Sequence, residues 1–253
     1  MAFLQANCYS ESLCRQVAFN AVVPVGKKRV KTLYLLHGQK GNYMDWIVNS
    51  RIASYAEARG LAVIMPSADN SFHVDNENAC ALYGDFFGRE LVEITRGLFQ
   101  LSDKCEDTFI AGFSMGGYGA IRTGLKYNET FGAIAGLSSA FLIVDRAVNF
   151  TSDTPSIRGR RSYFESVFGD LAEIPGSDND PKFLINELKQ KGAKIPNIYL
   201  CCGTEDILIA PNRCYHNFLK ENDVPHTYVE SAGAHNWEFW NEYILKVLDW
   251  LPL

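Results

Sequence analysis

A serine flanked by glycines is the group in this sequence that is best placed to do chemistry. Residues 108–120 read TFIAGFSMGGYGA, in which an apolar run enters Gly112-x-Ser114-x-Gly116 and small residues follow. This pattern predicts a sharp strand-to-helix turn that holds the Ser114 hydroxyl clear of the backbone. Glycine tolerates the backbone angles of such a turn, and the following helix directs free N–H groups towards the hydroxyl. The segment therefore indicates a nucleophilic serine.

A serine hydroxyl is a weak nucleophile until a neighbouring base takes its proton. In folds with this turn, the serine, the acid and the histidine follow one another in that order along the chain. Three histidines follow Ser114, namely His216, His226 and His235. We predict His235 as the base because it stands in a small-residue loop between a strand-like run and the C-terminal helical pattern. His216 falls within a helical pattern and His226 at a strand start, which favours a surface or packing role for the first and a solvated turn for the second.

The acid is expected directly after the apolar run 197–202, where the sequence continues Gly203-Thr204-Glu205-Asp206. Open α/β sheets carry their chemistry beyond the carboxyl ends of the strands. We predict Asp206 as the acid, because a short side chain in a turn is held more rigidly for an ion pair with an imidazole. Glu205 stays open as the alternative, and either residue could instead cap the helix that begins near residue 207.

Two backbone N–H groups are expected to stabilise the negative oxygen that forms when the serine attacks a carbonyl. One belongs to Met115, which follows the nucleophile, and the other to the loop after the apolar run 31–36. Gly38 would let this loop approach the serine and contact the substrate, which makes the Gln39 N–H the second donor. His37 precedes the serine in the chain and is interpreted as a brace for the loop.

Apolar runs alternate with helical patterns along the chain. This alternation predicts an α/β fold, with a mostly parallel twisted sheet and helices on both of its faces. The first run is expected to pair as an antiparallel edge strand, since no helix follows it. The predicted strands are 16–25, 31–37, 61–66, 108–113, 131–137, 197–202 and 226–230, and the predicted helices are 52–59, 86–101, 117–126, 181–190, 208–221 and 237–250.

The alternation breaks between residues 139 and 196. Polar turns there surround aromatic residues, five of which precede the predicted helix 181–190, and no long apolar run is present. We interpret 139–196 as a small cap-like insertion over the active site, within one domain that spans 1–253. A lid over a lipid-sized acyl chain would need a broad apolar face, so short acyl groups are expected, although the aromatics could equally be core residues. The five are Phe141, Phe150, Tyr163, Phe164 and Phe168.

Composition narrows the class of protein further. A chain of 253 residues with 47% hydrophobic content can bury a large core. Its net charge of -5 argues against nonspecific binding of nucleic acid. No run reaches the roughly 18 apolar residues of a membrane span, and the N-terminus lacks a signal-peptide pattern. The seven cysteines are interpreted as reduced thiols without metal-ligand spacing. We expect a cytoplasmic enzyme that needs no metal or cofactor and binds neither nucleic acid nor membrane, with a homo-oligomer left open.

Several motifs give the chain a family resemblance that covers nearly its whole length. It resembles the α/β-hydrolase esterases of the esterase D group, and within them the bacterial tributyrin esterases. The resemblance implies the α/β-hydrolase fold and a triad of Ser114, Asp206 and His235, and we also expect Trp237 to contact the substrate. The matching motifs are MAF at 1–3, SESL at 10–13, LHG at 36–38, MPS at 65–67, GFSMGG at 112–117, FGD at 168–170, GTED at 203–206 and GAHNWEFW at 233–240.

The sequence thus predicts a serine carboxylesterase that hydrolyses short-chain acyl esters through an acyl-enzyme. Members of the resembled group cleave short-chain esters, acetylated sugars, feruloyl esters and S-formylglutathione. A feruloyl or acetyl-xylan-type esterase therefore stays open as the alternative, followed by an S-formylglutathione hydrolase and an acyltransferase. A non-catalytic binding module is disfavoured, because all three residue types of the triad are present.

Overall fold

The computed structural model describes residues 1–142, 144, 149 and 153–253. Its strands are β1 (Ala2–Ser10), β2 (Arg15–Val23), β3 (Thr32–Leu36), β4 (Ala62–Pro66), β5 (Asp75–Asn76), β6 (Ala81–Leu82), β7 (Thr108–Phe113), β8 (Ala133–Leu137), β9 (Asn197–Gly203) and β10 (His226–Ser231). Eight of them form the main sheet in the order β1-β2-β4-β3-β7-β8-β9-β10, and β5 pairs with β6. Within the main sheet, β2 is antiparallel to both of its neighbours and every other pair is parallel.

The helices cover both faces of this sheet. They are α1 (Asp45–Asn49), α2 (Ile52–Arg59), α3 (Tyr83–Asp85), α4 (Leu91–Leu98), α5 (Met115–Lys126), α6 (Arg161–Phe168), α7 (Pro181–Lys191), α8 (Ile209–Glu221) and α9 (Trp237–Trp250). Apolar residues of α2 and α9 belong to the core on one face, and those of α4 to α8 to the core on the other. The predicted α/β class, with a mostly parallel sheet between two helical layers, is confirmed.

The central strands are apolar throughout because both of their faces are covered. In β3, Leu33 and Leu35 belong to one core cluster, whereas Tyr34 and Leu36 belong to the other. All four side chains are at most 1% exposed. Burying one large apolar side chain contributes about 1.5–3 kcal/mol, so a strand of this kind holds the two helical layers on the sheet. Parallel strands covered by helices read as continuous apolar runs for this reason.

Strand β1 was not predicted. The predicted strand 16–25 corresponds to β2, which lies second in the sheet and not at its edge. β2 is antiparallel, as expected, but it pairs with both β1 and β4, so β1 is the edge. β1 contains no long apolar run, because an edge strand outside the helical layers is only partly covered. Phe3 and Tyr9 are each 52% exposed, which explains why its pattern resembles that of a surface segment.

Several helical segments also differ from expectation. The predicted helix 86–101 is a π-helical turn (Phe86–Glu90) followed by α4, which ends at Leu98 because Phe99 is extended. The short helices α1, α3 and α6 were not predicted. Helix α6 lies between polar turns, within the range 139–196 where the alternation of strand and helix patterns breaks. Residues 143, 145–148 and 150–152 of the expected insertion, Phe150 among them, lie outside the described residues. In the ranges that the structure does describe, no helix is long and apolar enough to cross a membrane.

Candidate active site

Ser114 sits at the turn between β7 and α5. Its backbone angles are φ 56° and ψ -118°, a strained conformation for a residue with a side chain. The glycines on either side allow the strand and helix to approach each other. A Cβ on Gly112 would lie 2.4 Å from the carbonyl oxygen of Gly116, and a Cβ on Gly116 would lie 2.5 Å from that of His37. The glycine pattern seen in the sequence is therefore required by backbone-to-backbone contact.

The structure brings the three residues expected to act together into one chain of contacts, with His235 between Ser114 and Asp206. The Ser114 hydroxyl oxygen lies 3.0 Å from Nε2 of His235. The other ring nitrogen, Nδ1, lies 2.9 and 3.0 Å from the two carboxylate oxygens of Asp206. With the proton on Nδ1 donated to Asp206, Nε2 is left to accept the proton of the serine hydroxyl. This is the relation between nucleophile, base and orienting acid that activates a serine.

Asp206 is buried in a turn that also begins a helix. Its side chain is fully buried, and its Oδ1 accepts a hydrogen bond of 2.8 Å from the Leu208 backbone N–H before α8 begins. Burial opposes ionisation, but hydrogen bonds from His235 and Leu208 outweigh it and lower the pKa of Asp206. Helix α8 begins after Leu208 without a side-chain cap, so the capping interpretation of Asp206 was wrong, and its carboxylate faces His235 instead.

Glu205, the alternative acid, contacts the backbone of the loop 232–236, which carries His235 and is called the histidine loop. Its Oε2 accepts a hydrogen bond of 2.5 Å from the Gly233 N–H, and its own N–H donates to the Gly233 carbonyl at 3.0 Å. The hydrogen bond from Gly233 lowers the pKa of Glu205. On the far side of His235, the Asn236 side chain caps α9 by accepting from the Phe239 N–H at 3.1 Å. The histidine is thus held between two fixed points of the backbone.

Loop 37–42 follows β3 and faces the turn at Ser114. Burial lowers the pKa of His37, and the neutral ring links two segments. Its Nε2 accepts from the Ala68 N–H at 2.9 Å, while Nδ1 lies 2.7 Å from the Gly38 carbonyl. A Cβ on Gly38 would lie 2.5 Å from the Phe113 ring. These contacts agree with a bracing role for His37 and with close approach of the loop to the serine.

The two expected oxyanion donors belong to separate segments beside Ser114. Met115 is the first residue of α5, so its N–H is one of those that a helix leaves without an intrahelical acceptor. Gln39 lines the same cavity as Ser114 and His235. Gly116 packs directly on the backbone that leads into loop 37–42. Helix start and loop are therefore fixed relative to each other at the serine.

A cavity of about 680 Å³ opens at the serine. This volume is typical of small-molecule sites. Trp237 lines it, as expected, and packs edge-on against Phe113 and the buried Trp46 at ring distances of 4.7 and 5.2 Å. Besides Ser114 and His235, the wall includes Gly41, the polar residues Gln39, Lys40 and Asp45 and the apolar residues Phe72, Phe113, Ala140, Leu142, Phe164, Ile207, Leu208, Trp237 and Trp240.

Trp240 contributes to the site although the sequence analysis gave it no role. Its ring stands edge-on to His235 at 4.9 Å and 89°, and its Nε1–H donates to the Ser138 hydroxyl at 3.1 Å. It therefore packs against the imidazole while being anchored to the segment after β8. A signal was available, because Trp237 and Trp240 are three residues apart and so share one face of α9.

The other two downstream histidines lie apart from the serine. His216 Nδ1 and His226 Nε2 are 2.7 Å apart, and the His216 ring stacks on Tyr228 at 4.1 Å. His216 is a packing residue, as expected. His226 is the partly buried first residue of β10 and not a solvated turn residue, because its ring is hydrogen-bonded on both sides. Within the described ranges, no group of three or more histidine, cysteine, aspartate or glutamate residues could hold a metal ion.

Fold and comparisons together define the class of this protein as a carboxylic ester hydrolase with the α/β-hydrolase fold. The chain belongs to the esterase family, whose model matches residues 10–251. It is 42% identical to an acetyl esterase of Caldicellulosiruptor saccharolyticus, over 99% of this chain and 98% of that protein.

Two solved structures from Staphylococcus aureus resemble the fold over almost the whole chain. One is an S-formylglutathione hydrolase, with a TM-score of 0.86 and 27% identity, covering 99% of this chain and 98% of that one. The other is a fluorophosphonate-binding serine hydrolase with substrate bound, with a TM-score of 0.87, 27% identity and the same coverage.

Proposed function

We propose that this esterase hydrolyses short-chain acyl esters through a covalent intermediate on Ser114. The Ser114 oxygen attacks the ester carbonyl carbon while His235 Nε2 takes the hydroxyl proton. The N–H groups of Gln39 and Met115 donate to the negative oxygen of the tetrahedral intermediate. The bond to the alcohol oxygen then breaks, and His235 returns the proton to the departing alcohol.

The acyl-enzyme is resolved by the same groups. His235 takes a proton from water, the hydroxide oxygen attacks the acyl carbon, and the acid leaves as the Ser114 hydroxyl regains its proton. Asp206 holds the imidazole in the required tautomer and stabilises its charge. The observation that carries the proposal is the chain of contacts at 3.0 Å and 2.9 Å from Ser114 through His235 to Asp206. The similarity to a fluorophosphonate-binding serine hydrolase supports the serine as the nucleophile.

The preference for short acyl groups is supported by the cavity wall and by one relative. Polar side chains of Gln39, Lys40 and Asp45 interrupt the apolar lining near the serine. A long acyl chain would remove water from these groups at about 1–3 kcal/mol each, whereas each methylene it buries contributes only about 0.8 kcal/mol. The 42% identical relative is named as an acetyl esterase.

Two other substrates have specific support. The rings of Phe113, Trp237 and Trp240 form an aromatic wall on which a cinnamoyl-type acid could stack, which favours a feruloyl esterase. The charged Lys40 and Asp45 in the cavity, with the similarity to an S-formylglutathione hydrolase, favour a thioester of a zwitterionic peptide. Acetyl-xylan-type esters and acyl transfer to an alcohol have no separate support.

The test compares specificity constants for 4-nitrophenyl acetate, butyrate and dodecanoate, methyl ferulate and S-formylglutathione, with Ser114→Ala as the blank. We expect acetate or butyrate to exceed dodecanoate and ferulate, and Ser114→Ala to retain less than about one per cent of turnover, a loss of more than about 3 kcal/mol in the barrier. A larger constant for dodecanoate would refute the short-acyl preference. A dominant ferulate or S-formylglutathione constant would promote that alternative, and an active Ser114→Ala would refute the nucleophile.

Four broader assignments are proposed alongside this activity. Within the esterase family, the motifs at 112–117, 203–206 and 233–240 support the esterase D group and its tributyrin esterases. The shared sheet supports one domain over 1–253, with 139–196 as its insertion. All seven cysteines are free, which fits a reducing, cytoplasmic environment. A homo-oligomer remains open, and its test is the mass in solution measured by light scattering.

A further inference from the structure

At Lys40, the backbone of loop 37–42 is hydrogen-bonded to a residue outside the loop. Lys40 has a φ of 70°, in the left-handed region that residues with side chains rarely adopt. Its N–H donates to the Asn70 side-chain oxygen at 2.8 Å. Residue 40 follows the expected oxyanion donor Gln39 directly, so whatever fixes Lys40 also fixes the C-terminal side of that donor.

A tyrosine of the insertion, Tyr163, connects the Gln39 side chain to Asn70. The Gln39 side-chain amide donates to the Tyr163 hydroxyl at 2.8 Å, and this hydroxyl donates to the Asn70 backbone carbonyl at 2.9 Å. Through Asn70, this chain of hydrogen bonds also reaches the Lys40 N–H. We call Gln39, Lys40, Asn70 and Tyr163 together the Gln39–Tyr163 bridge. It links loop 37–42, the segment after β4 and helix α6.

Helix α6 is itself anchored and takes part in the cavity. The Asn76 side chain donates to the Ser166 carbonyl at 2.7 Å, and Phe164, next to Tyr163, lines the cavity beside Ser114. Its ring is buried to 4% exposure. The bridge therefore runs from a packed helix of the insertion to the loop that faces the serine, and its Asn70 end is exposed at the surface.

We propose that Tyr163 is a positioning residue for ester hydrolysis: it holds Gln39 so that the Gln39 N–H points at the oxyanion. The inference rests on the proposed function, because it assumes that this N–H binds the oxyanion. Donors of this kind work only when they are fixed before the reaction. The Tyr163 hydroxyl restrains Gln39 through its side chain, while Asn70 restrains the next residue through the backbone. The insertion thus contributes to the rate as well as to the cavity wall.

A positioning role predicts a specific kinetic pattern for Tyr163→Phe, which removes only the bridging hydroxyl. We expect kcat with 4-nitrophenyl acetate to fall about 10- to 100-fold, because removing an oxyanion donor outright costs about 100- to 1000-fold. KM should change less than about twofold, since the interaction matters mainly in the transition state. The affinity for a trifluoromethyl ketone, which adds to the serine and places an oxyanion in the same position, should weaken by the same factor as kcat/KM.

Two further variants separate positioning from general damage. Gln39→Ala keeps the backbone N–H but removes the bridge, so it should resemble Tyr163→Phe, and the double variant should lose little more than either single variant. Tyr9→Phe removes a hydroxyl from a residue that is 52% exposed on the edge strand, and it should behave like the unmodified protein. The concentration of active sites is determined by titration with a fluorophosphonate, and kcat is calculated from it. Misfolded protein therefore does not lower the measured kcat.

Unchanged kcat and ketone affinity in Tyr163→Phe would overturn the inference. It would equally be overturned if the two single losses multiplied in the double variant. Failure of the proposed function has a different signature, because it would appear in the unmodified protein as absent ester hydrolysis or in Ser114→Ala as retained activity.

Discussion

Replacing Asp206 by asparagine tests the assignment of the acid most directly. Oδ1 of Asp206 accepts from the Leu208 N–H at 2.8 Å, and both oxygens face Nδ1 of His235 at 2.9 and 3.0 Å. An asparagine has only one oxygen. If this oxygen accepts from Leu208, its NH₂ group faces Nδ1, and the imidazole must then carry its proton on Nε2. That nitrogen can no longer accept the proton of Ser114.

The expected loss in kcat is about 10⁴-fold, as for the corresponding change in serine proteases, which is about 5 kcal/mol in the barrier. The assay is steady-state hydrolysis of 4-nitrophenyl acetate, with circular dichroism to show that the variant is folded. Glu205→Gln is the matched control. A glutamine oxygen can still accept from the Gly233 N–H, so activity should stay within about threefold. If Glu205→Gln were the inactive variant and Asp206→Asn the active one, the acid would be misassigned.

Two remaining predictions concern stability. Gly116→Ala places a Cβ 2.5 Å from a backbone carbonyl oxygen, so it should lower the free energy of unfolding by about 1–3 kcal/mol and reduce activity. Gly97→Ala has open space around the new Cβ and should instead raise the free energy of unfolding by about 0.5–1 kcal/mol. Equal urea midpoints for the two variants would contradict the packing argument. Burial opposes the charge of Asp178, but its ion pairs with Arg122, at 3.0 Å, and with Lys126 together outweigh burial and lower its pKa below 3.8. The ionised form therefore stabilises the fold above about pH 3.8, and this contribution disappears as the pH falls further. Between pH 5 and 3, the urea midpoint should drop less in Asp178→Asn than in the unmodified protein. The control is Asp103→Asn at an exposed position, whose midpoint should drop as much as that of the unmodified protein. An equal drop in Asp178→Asn, or an equally reduced drop in Asp103→Asn, would refute the prediction.

Local patterns predicted the parts of the fold whose chemistry is local. The central strands are recognisable because covered parallel strands must be apolar on both faces, and the turn at Ser114 because it needs glycine on both sides. The edge strand β1 escaped prediction because its environment depends on which strand pairs beside it. The short helix α6 was not predicted because it lies between polar turns in the range 139–196, where the alternation of strands and helices breaks.

The site divides in the same way. The sequence by itself singled out Ser114, His235 and the pair Glu205 and Asp206, since their residue types stand at strand ends where an open α/β sheet places its chemistry. It favoured Asp206 over Glu205 on side-chain length alone, because which carboxylate reaches the imidazole depends on how the turn after β9 packs against the histidine loop.

Only the tertiary structure decided the surroundings of these residues. The bridge from Gln39 through Tyr163 to Asn70 joins segments up to 124 positions apart in the chain, and no local pattern records such a contact. Trp240 likewise reaches across 102 positions to Ser138. A hydrogen bond between distant segments is specified by the packing of the whole sheet, whereas a turn is specified by the few residues that form it. The candidate reactive groups could therefore be predicted from their types and spacing, whereas Tyr163 and Trp240, which contact their surroundings across distant segments, could not.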